Sequence, residues 1–240
     1  MKQNLSVIIP VFKEAARIRR CIEESLSFFR HNPLIHEFEL LFVVDDSGDG
    51  SLDIIKEYIH NKEIHFFLND NRLQKGGSVK KGMLAARYNI LLYYDADLST
   101  PLTEVNECIE LIQRYDIVIG SRGVEGAQVK KNMFKTFLSN GFSLLKLLIL
   151  GLRFRDTQCG FKMFRRSTLP IFEKQRIVSS CFDVELLYIA QKNGFSIVEK
   201  PVIWVDSSYS NFFMHIVIIS FLKELIEIRW NAFKGYYFMN

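Results

Sequence analysis

The sequence predicts an α/β protein with a mainly parallel sheet flanked by helices and with apolar, amphipathic helices toward its C-terminal end. Three observations carry that prediction. Short apolar runs of the kind that buried parallel strands show alternate with stretches of helical spacing through the first half. Four of these runs end in polar or acidic clusters, the place where open α/β sheets gather ligands. After Arg122 the pattern shifts to longer helical stripes, and many of the 21 phenylalanines lie in that half.

The elements follow in order. Leu5 to Val11 is an apolar run followed by Lys13-Glu14, and from Ala15 the positions Ile18, Ile22, Leu26 and Phe29 recur at helical spacing. Phe38 to Val44 is a second buried strand that ends in Asp45-Asp46-Ser47-Gly48-Asp49-Gly50-Ser51, turn chemistry with an N-cap for a helix over Leu52 to Ile59. Ile64 to Leu68 is a third strand. Asn71 to Gly82 reads as a polar loop that enters a helix through Met83 and Ala86. Ile90 to Tyr94 is the fourth strand, and Ile117 to Ile119 the fifth after a helix over Leu102 to Arg114. This alternation implies right-handed crossovers and a mainly parallel sheet.

Beyond Arg122, Met133 to Leu152 sets Phe134, Phe137, Leu138, Phe142, Leu145, Ile149 and Leu152 on one helical stripe, with Lys135, Ser139 and Lys146 off it. Asp156 to Phe164 reads as a loop and short strand, Cys181 to Lys192 as a helix, and Ile197 to Val205 as extended chain. Phe212 to Leu222 is apolar apart from His215 and Ser220.

Composition bounds the function. The 240 residues are 48% hydrophobic and 24% charged, enough for a sizeable core. A net charge of +4 suits a small anionic substrate or an anionic membrane surface and argues against nucleic acid. Cys21, Cys108, Cys159 and Cys181 are far apart and the five histidines complete no zinc spacing, so free thiols in a reducing compartment are expected. The N-terminus lacks a signal-peptide pattern, and no run reaches the ~20 apolar residues of a spanning helix. The expectation is a cytoplasmic protein.

Asp95 and Asp97 close the fourth strand, followed by Ser99 and Pro101. Two hard oxygen ligands at a strand end suit a divalent cation shared with substrate phosphates. The plainer alternative is a loop opening, with Pro101 starting the next helix. Glu14, Asp45/Asp46, Asn71 to Gly77 and Asp95/Asp97 all follow strands, so a parallel sheet would bring them to one edge. No G-x-G-x-x-G follows the first strand, and Gly76-Gly77-Ser78 lacks a P-loop ending. Such carboxylates suit the base and ribose of a nucleotide, with a metal on Asp95-Ala96-Asp97 holding its pyrophosphate.

At this point a resemblance becomes specific. Ser6 to Glu14, Asp45-Asp46-Ser47-Gly48-Asp49-Gly50, Lys75-Gly76-Gly77 and Asp95-Ala96-Asp97 resemble the successive motifs of inverting family 2 glycosyltransferases of GT-A fold, a Rossmann-like architecture. Gly120-Ser121-Arg122, Asp156 to Phe164, Phe182 to Leu187 and Glu199 to Trp204 resemble dolichyl-phosphate β-glucosyltransferases, and more loosely the polyprenyl-phosphate mannose and glucose synthases. The resemblance implies a GT-A domain over 1–205, with a nucleotide-sugar half (1–122) and an acceptor half (123–205), and a helical tail over 206–240. It implies that Pro10, Val11, Glu14, Asp46, Lys75, Asp95 and Ala96 bind the nucleotide-sugar. Asp95, Asp97 and Ser99 would hold Mg²⁺ or Mn²⁺. Arg122, Lys135 and Ser139 would meet phosphates, those of the acceptor above all. Asp156 would sit at the transfer centre with Gln158 beside the sugar. Two departures stand out: Lys13 where the family usually has Asn, and Tyr209-Ser210-Asn211 where it has Gly-Ser-Lys, although Asp206 keeps an acidic position.

The implied reaction moves a hexose, glucose from UDP-glucose, to a polyprenyl or dolichyl phosphate. A sugar hydroxyl needs a general base, whereas a phosphate monoester with a second pKa of about 6 is already largely dianionic. Asp156 is then expected to orient more than to remove a proton. Other readings stay open. Asp156, Asp183 and Glu185 could cap helices or pair with Arg153, Arg155 and Arg165, and Asp183 looks like such a structural residue, since Phe182-Asp183 opens a helix. The Met133 to Leu152 stripe could be core or membrane contact. The two apolar helices, flanked by Lys135, Lys146, Lys223, Arg229 and Lys234, are candidates to lie on the cytoplasmic face of a membrane or to bury each other in a homodimer. Transfer to a glycan hydroxyl, a non-catalytic nucleotide-sugar-binding role and a nucleotidyltransferase are the competing functions.

Overall fold

The computed structural model describes the backbone of residues 2–129, 133–205 and 214–239, with side chains throughout these except 133–140 and 214–218. The chain runs β1 (Gln3–Val11), α1 (Ala15–His31), β2 (Ile35–Asp45), α2 (Ser51–Glu57), β3 (Ile64–Asn69), α3 (Gln74–Ala85) and β4 (Ile90–Tyr94). After a 3₁₀ turn at Leu102–Glu104 come α4 (Val105–Leu111), β5 (Ile117–Ser121), β6 (Gln128–Val129) and α5 (Met133–Leu150). Then follow β7 (Phe161–Arg165), α6 (Leu169–Lys174), α7 (Phe182–Lys192), β8 (Ile197–Pro201), β9 (Ile203–Trp204) and α8 (Met214–Phe233).

Seven strands form one sheet in the order β3-β2-β1-β4-β7-β5-β8. All pairings are parallel except those of β7, which runs antiparallel between β4 and β5. β6 and β9 pair separately. The pleat sends alternate residues of β1 into two cores: Leu5, Val7, Ile9 and Val11 meet α1 and α4, and Ile8 faces the other way. That second core holds Val79 and Met83 of α3, Phe172 of α6, and Leu225 and Ile228 of α8. At its centre is α7, buried at every position from Phe182 to Ala190. The four cysteines are free thiols, all buried.

Four expectations are corrected. Asn71 to Gly82 is not a loop throughout, because α3 begins at Gln74 and Gly76 and Gly77 lie within it. A Cβ on Gly76 would collide with the Phe182 ring and the Val178 carbonyl, so glycine serves close packing there and not a turn. The helix drawn over Leu102 to Arg114 narrows to the 3₁₀ turn and α4, and the α2 helix ends at Glu57, short of Ile59. Lys146, placed off the apolar stripe and beside a membrane, is 3% exposed and points inward. The described members of the stripe, Phe142, Leu145, Ile149 and Leu152, pack on the second core, with Phe142 4.4 Å from the Phe221 ring of α8. A different face of α5, Leu144, Leu147 and Leu148, is exposed. No described helix is long and apolar enough to cross a membrane.

Candidate active site

Because β1 to β4 run parallel, their carboxyl ends share an edge, and the four polar clusters meet there around a cavity of about 310 Å³. Pro10, Val11, Phe12 and Glu14 come from the end of β1, and Asp45 from the end of β2. Arg72, Gln74, Lys75 and Ser78 come from the segment after β3, and Asp95, Ala96 and Asp97 from the end of β4. Asp45 is nearly buried: its carboxylate accepts from the Asn69 amide at 2.7 Å and from the backbone N–H groups of Leu73 (3.0 Å) and Gln74 (2.8 Å). It therefore fixes the start of α3 and turns Lys75 into the cavity. Asp46, the partner favoured from sequence, is exposed and accepts from Gly48 N–H at 2.9 Å within its own turn, outside the cavity lining.

Among the described residues, three other than glycine have left-handed backbones: Lys13 (φ 58°), Gln74 (φ 59°) and Leu98 (φ 52°). Lys13 and Leu98 sit on the loops after β1 and β4 and Gln74 opens α3 after β3, so local strain is concentrated around this edge. Asn tolerates that conformation better than Lys does. The Lys13 departure is thus a matter of backbone comfort at a loop whose neighbours, Glu14 N–H on Ser51 Oγ (3.0 Å) and Ala15 N–H on Asp49 (3.0 Å), are tied to the β2 loop.

Lys75 Nζ lies 2.6 Å from Asp95 Oδ1. Burial works to lower the lysine's pKa, but the attraction of Asp95 and Asp183 prevails and raises it. Asp97 Oδ1 accepts from Ser99 N–H at 2.9 Å, and Asp97 Oδ2 is 4.0 Å from Arg17, whose Nε binds Glu14 at 2.8 Å. Burial raises the Glu14 carboxyl; Arg17 opposes this, and Asp97 and Asp95 add to it. Among the described residues no group of three acidic, His or Cys side chains could cage a metal. Two carboxylates one residue apart fit instead a hard divalent ion that completes its shell with water and ligand phosphate. Asp95 and Asp97 satisfy that chemistry, while Ser99 is placed by its backbone.

A second wall, outside the lining of that cavity, is a salt bridge. Asp156 Oδ2 accepts from Arg122 Nε (2.7 Å) and Arg122 N–H (3.0 Å), and Oδ1 from Arg122 Nη2 (3.1 Å) and Gln158 N–H (3.0 Å). Burial would raise its carboxyl, but Arg122 outweighs that and holds it at about 2. The Arg122 guanidinium lies 5.4 Å from the Trp204 ring centre and is raised in turn, Asp156 overcoming the effect of burial. Glu199 accepts from the N–H groups of Arg155 and Asp156, clamping the loop from beneath. Lys146 Nζ donates to Thr157 Oγ1 at 2.9 Å; burial lowers it to about 8, with Asp156 and Glu199 opposing. Gln158 is exposed beside Asp156. The side chains of Lys135 and Ser139 lie outside the described residues, as do Asp206 and Tyr209-Ser210-Asn211.

The two walls touch at Gly160. Its carbonyl accepts Asp95 N–H at 3.2 Å, and the Asp95 carboxylate occupies the space a Cβ would need. Asp156, Asp183 and Glu185 pair with none of the arginines weighed from sequence. Asp183 meets Lys162 and does not cap its helix, whose N-cap is Cys181. Glu185 accepts from Arg176 and Ile177 N–H and from the Tyr237 hydroxyl. Sequence reasoning passed over Gly160, Lys146 and Lys162 as functional residues. The Asp156 to Phe164 motif contained two of them, but only the fold shows what they touch.

The family described as Glycosyl transferase family 2 matches residues 6–170. The dolichyl-phosphate beta-glucosyltransferase of Dictyostelium discoideum is 30% identical over 96% of this chain and 75% of its own length. That of Saccharomyces cerevisiae is 30% identical over 97% of this chain and 76% of its own. Among solved structures, glucosyl-3-phosphoglycerate synthase from Mycobacterium tuberculosis in complex with Mn²⁺, UDP and glucosyl-3-phosphoglycerate superposes with a TM-score of 0.68 at 14% identity, covering 94% of this chain and 78% of that one. The mostly parallel seven-stranded sheet flanked by helices matches these structures, and the chain belongs to glycosyl transferase family 2, as a glycosyltransferase of GT-A fold.

Proposed function

We propose that the chain transfers glucose from UDP-glucose, with inversion, to a polyprenyl or dolichyl phosphate at a membrane surface. The observation that carries this reading is the state of Asp156. Its carboxylate is ionised, buried and already accepts four hydrogen bonds, three of them from Arg122. Such a group is a poor proton acceptor, and a lipid phosphate, being ionised already, needs none. The relatives named for dolichyl-phosphate glucosylation support the same acceptor.

In the reaction the bond from the anomeric carbon to the diphosphate oxygen breaks and one to an acceptor phosphate oxygen forms. Asp95 and Asp97 would hold Mg²⁺ or Mn²⁺, which when bound supplies Lewis-acid neutralisation of the leaving diphosphate. Lys75 sits within reach to give a phosphate the ammonium it now gives Asp95. Pro10, Val11, Glu14 and Ala96 shape the cavity for the nucleotide, with Asp45 beneath it. Arg122, held by Asp156 and 5.4 Å from the Trp204 ring centre, would meet the incoming phosphate.

For the membrane, α5 and α8 supply exposed apolar faces: Leu144, Leu147 and Leu148, and Ile219, Leu222, Ile226, Trp230 and Phe233. The α8 set recurs at helical spacing, opposite buried Leu225 and Ile228, with Lys223, Arg229 and Lys234 to meet anionic headgroups. These faces support peripheral attachment to a membrane, which we assign to its cytoplasmic side.

The test is nucleoside diphosphate release from UDP-glucose and GDP-mannose, each with and without a short polyprenyl phosphate and metal. Release from UDP-glucose only with both is expected. Release with GDP-mannose alone would change the donor, and release with a glycan in place of the lipid would sink the acceptor assignment. Vesicle co-sedimentation, lost on Trp230→Glu/Phe233→Glu, tests the surface; a shift of oligomeric state instead would assign it to a second copy of the chain.

A further inference from the structure

Beneath the site lies a charged unit that the proposed chemistry does not use. Lys162 and Asp183 are an ion pair at 2.6 Å whose side chains are 0% and 3% exposed. The three protons of the Lys162 ammonium are all taken, by Asp183 Oδ1 (2.6 Å), the Tyr93 hydroxyl (2.9 Å) and the Cys159 carbonyl (2.6 Å). Tyr93 in turn donates to Asp183. A buried pair of this kind adds little to stability over an apolar replacement of equal volume. Its use lies in what it connects.

Tyr93 stands two residues before Asp95, and it faces Lys162 across the β4–β7 register. Asp183 is in the first turn of α7. Cys159 belongs to the loop that carries Asp156 and Gln158 and that ends at Gly160, against which the Asp95 carboxylate rests. One ammonium thus joins the strand bearing Asp95, the loop bearing Asp156, and a buried helix. Its bond to the Cys159 carbonyl and the bond from Asp95 N–H to the Gly160 carbonyl fasten neighbouring peptides of that loop to the same strand end.

We propose that the Lys162–Asp183–Tyr93 unit is a positioning device: it sets the distance between the donor-side carboxylates and Asp156 by holding the 156–160 loop. Lys162 touches no substrate and acts through Cys159 and Gly160. This inference rests on the reading of Asp95 and Asp156 as the two sides of one transfer site.

The test is Lys162→Met, with Lys162→Met/Asp183→Asn as the second variant, because a lone buried Asp183 could by itself prevent folding. Two readouts are taken on the full chain. In turnover, kcat for nucleoside diphosphate release should fall about 100-fold, the scale of a small misplacement of reacting groups, with the donor KM within about twofold. In amide hydrogen exchange, Asp95 and residues 156–162 should lose protection while β1 and β2 keep theirs. Unchanged kcat in either folded variant overturns the proposal, as does a loss of kcat that merely follows a lowered melting temperature. Exchange is read whether or not the wild-type chain turns over. A chain inactive with every donor would sink the proposed function, whereas unaltered exchange at Asp95 and 156–162 would sink this one.

Discussion

The two walls of the site are built by different means. The donor wall is made of strand ends: β1, β2, β3 and β4 deliver Glu14, Asp45, Lys75 and Asp95 to one edge simply by running parallel. The wall proposed to meet the acceptor is made of pairings between distant residues, Arg122 with Asp156, Lys162 with Asp183 and Lys146 with Thr157, most of them buried. The first wall meets solvent and ligand, and its charges can be rearranged. The second is mostly buried, with the Arg122 side chain 28% exposed, so each charge depends on a fixed neighbour, and removing one strands the other.

If the donor wall works by charge at the leaving group, Asp95→Asn should have the largest effect. Turnover should fall about 10³-fold or more, with loss of Mn²⁺ binding seen by calorimetry, since electrostatic stabilisation of that kind contributes several kcal/mol. Retained metal binding would move the ion elsewhere. Asp156→Asn should cost about 100-fold in kcat and leave UDP binding intact. Were UDP binding lost as well, the division into two walls would fail.

The buried polar groups of α7 should show in the pH dependence of stability. Burial raises the Glu185 carboxyl from 4.5 to about 7, against the hydrogen bonds it accepts from Tyr237, Ile177 and Arg176. Between these values the folded chain holds a proton that the unfolded chain has lost. Stability is therefore greatest below about 4.5, as far as this group goes, and declines up to about 7. Glu185→Gln should remove that decline and raise stability at pH 8 by roughly 2 kcal/mol, measured by urea unfolding at a series of pH values. A variant with the wild-type pH profile would show that Glu185 does not titrate there. The smallest effect is expected on the open wall: Lys13→Asn relieves a left-handed backbone and should add about 0.5–1 kcal/mol, with turnover unchanged.

The same contrast explains what could be read in the sequence. The donor wall was legible because each apolar run carries its functional residue directly at its end, so finding Ile90 to Tyr94 also found Asp95. Even there the choice between Asp45 and Asp46 depended on which residue was the last in the strand, and the structure put Asp45 on the cavity. The acceptor wall was legible only as motifs. Nothing local tells that Asp156 meets Arg122 and not Arg155, or that Lys146 turns inward from an apolar helix. Both depend on the loop that leads into β7, whose Asp156 and Thr157 are the partners, and its place is a property of topology. The glycines of α3 misled for a similar reason: Gly76 is there for Phe182, a partner more than 100 residues away in sequence.

The placement of β7 has a consequence for how the protein is made. In a chain leaving the ribosome, β4 acquires β1 at once, but its other edge stays bare until β5, β6 and α5 have followed and β7 arrives. At a synthesis rate of about 5–20 residues per second that interval lasts several seconds, during which an apolar strand presents an unpaired edge to its surroundings. The same strand carries the aspartates of the donor wall. The chain's nascent first half is thus sticky before it is competent, and strand-shielding chaperones are the helpers such a topology calls for.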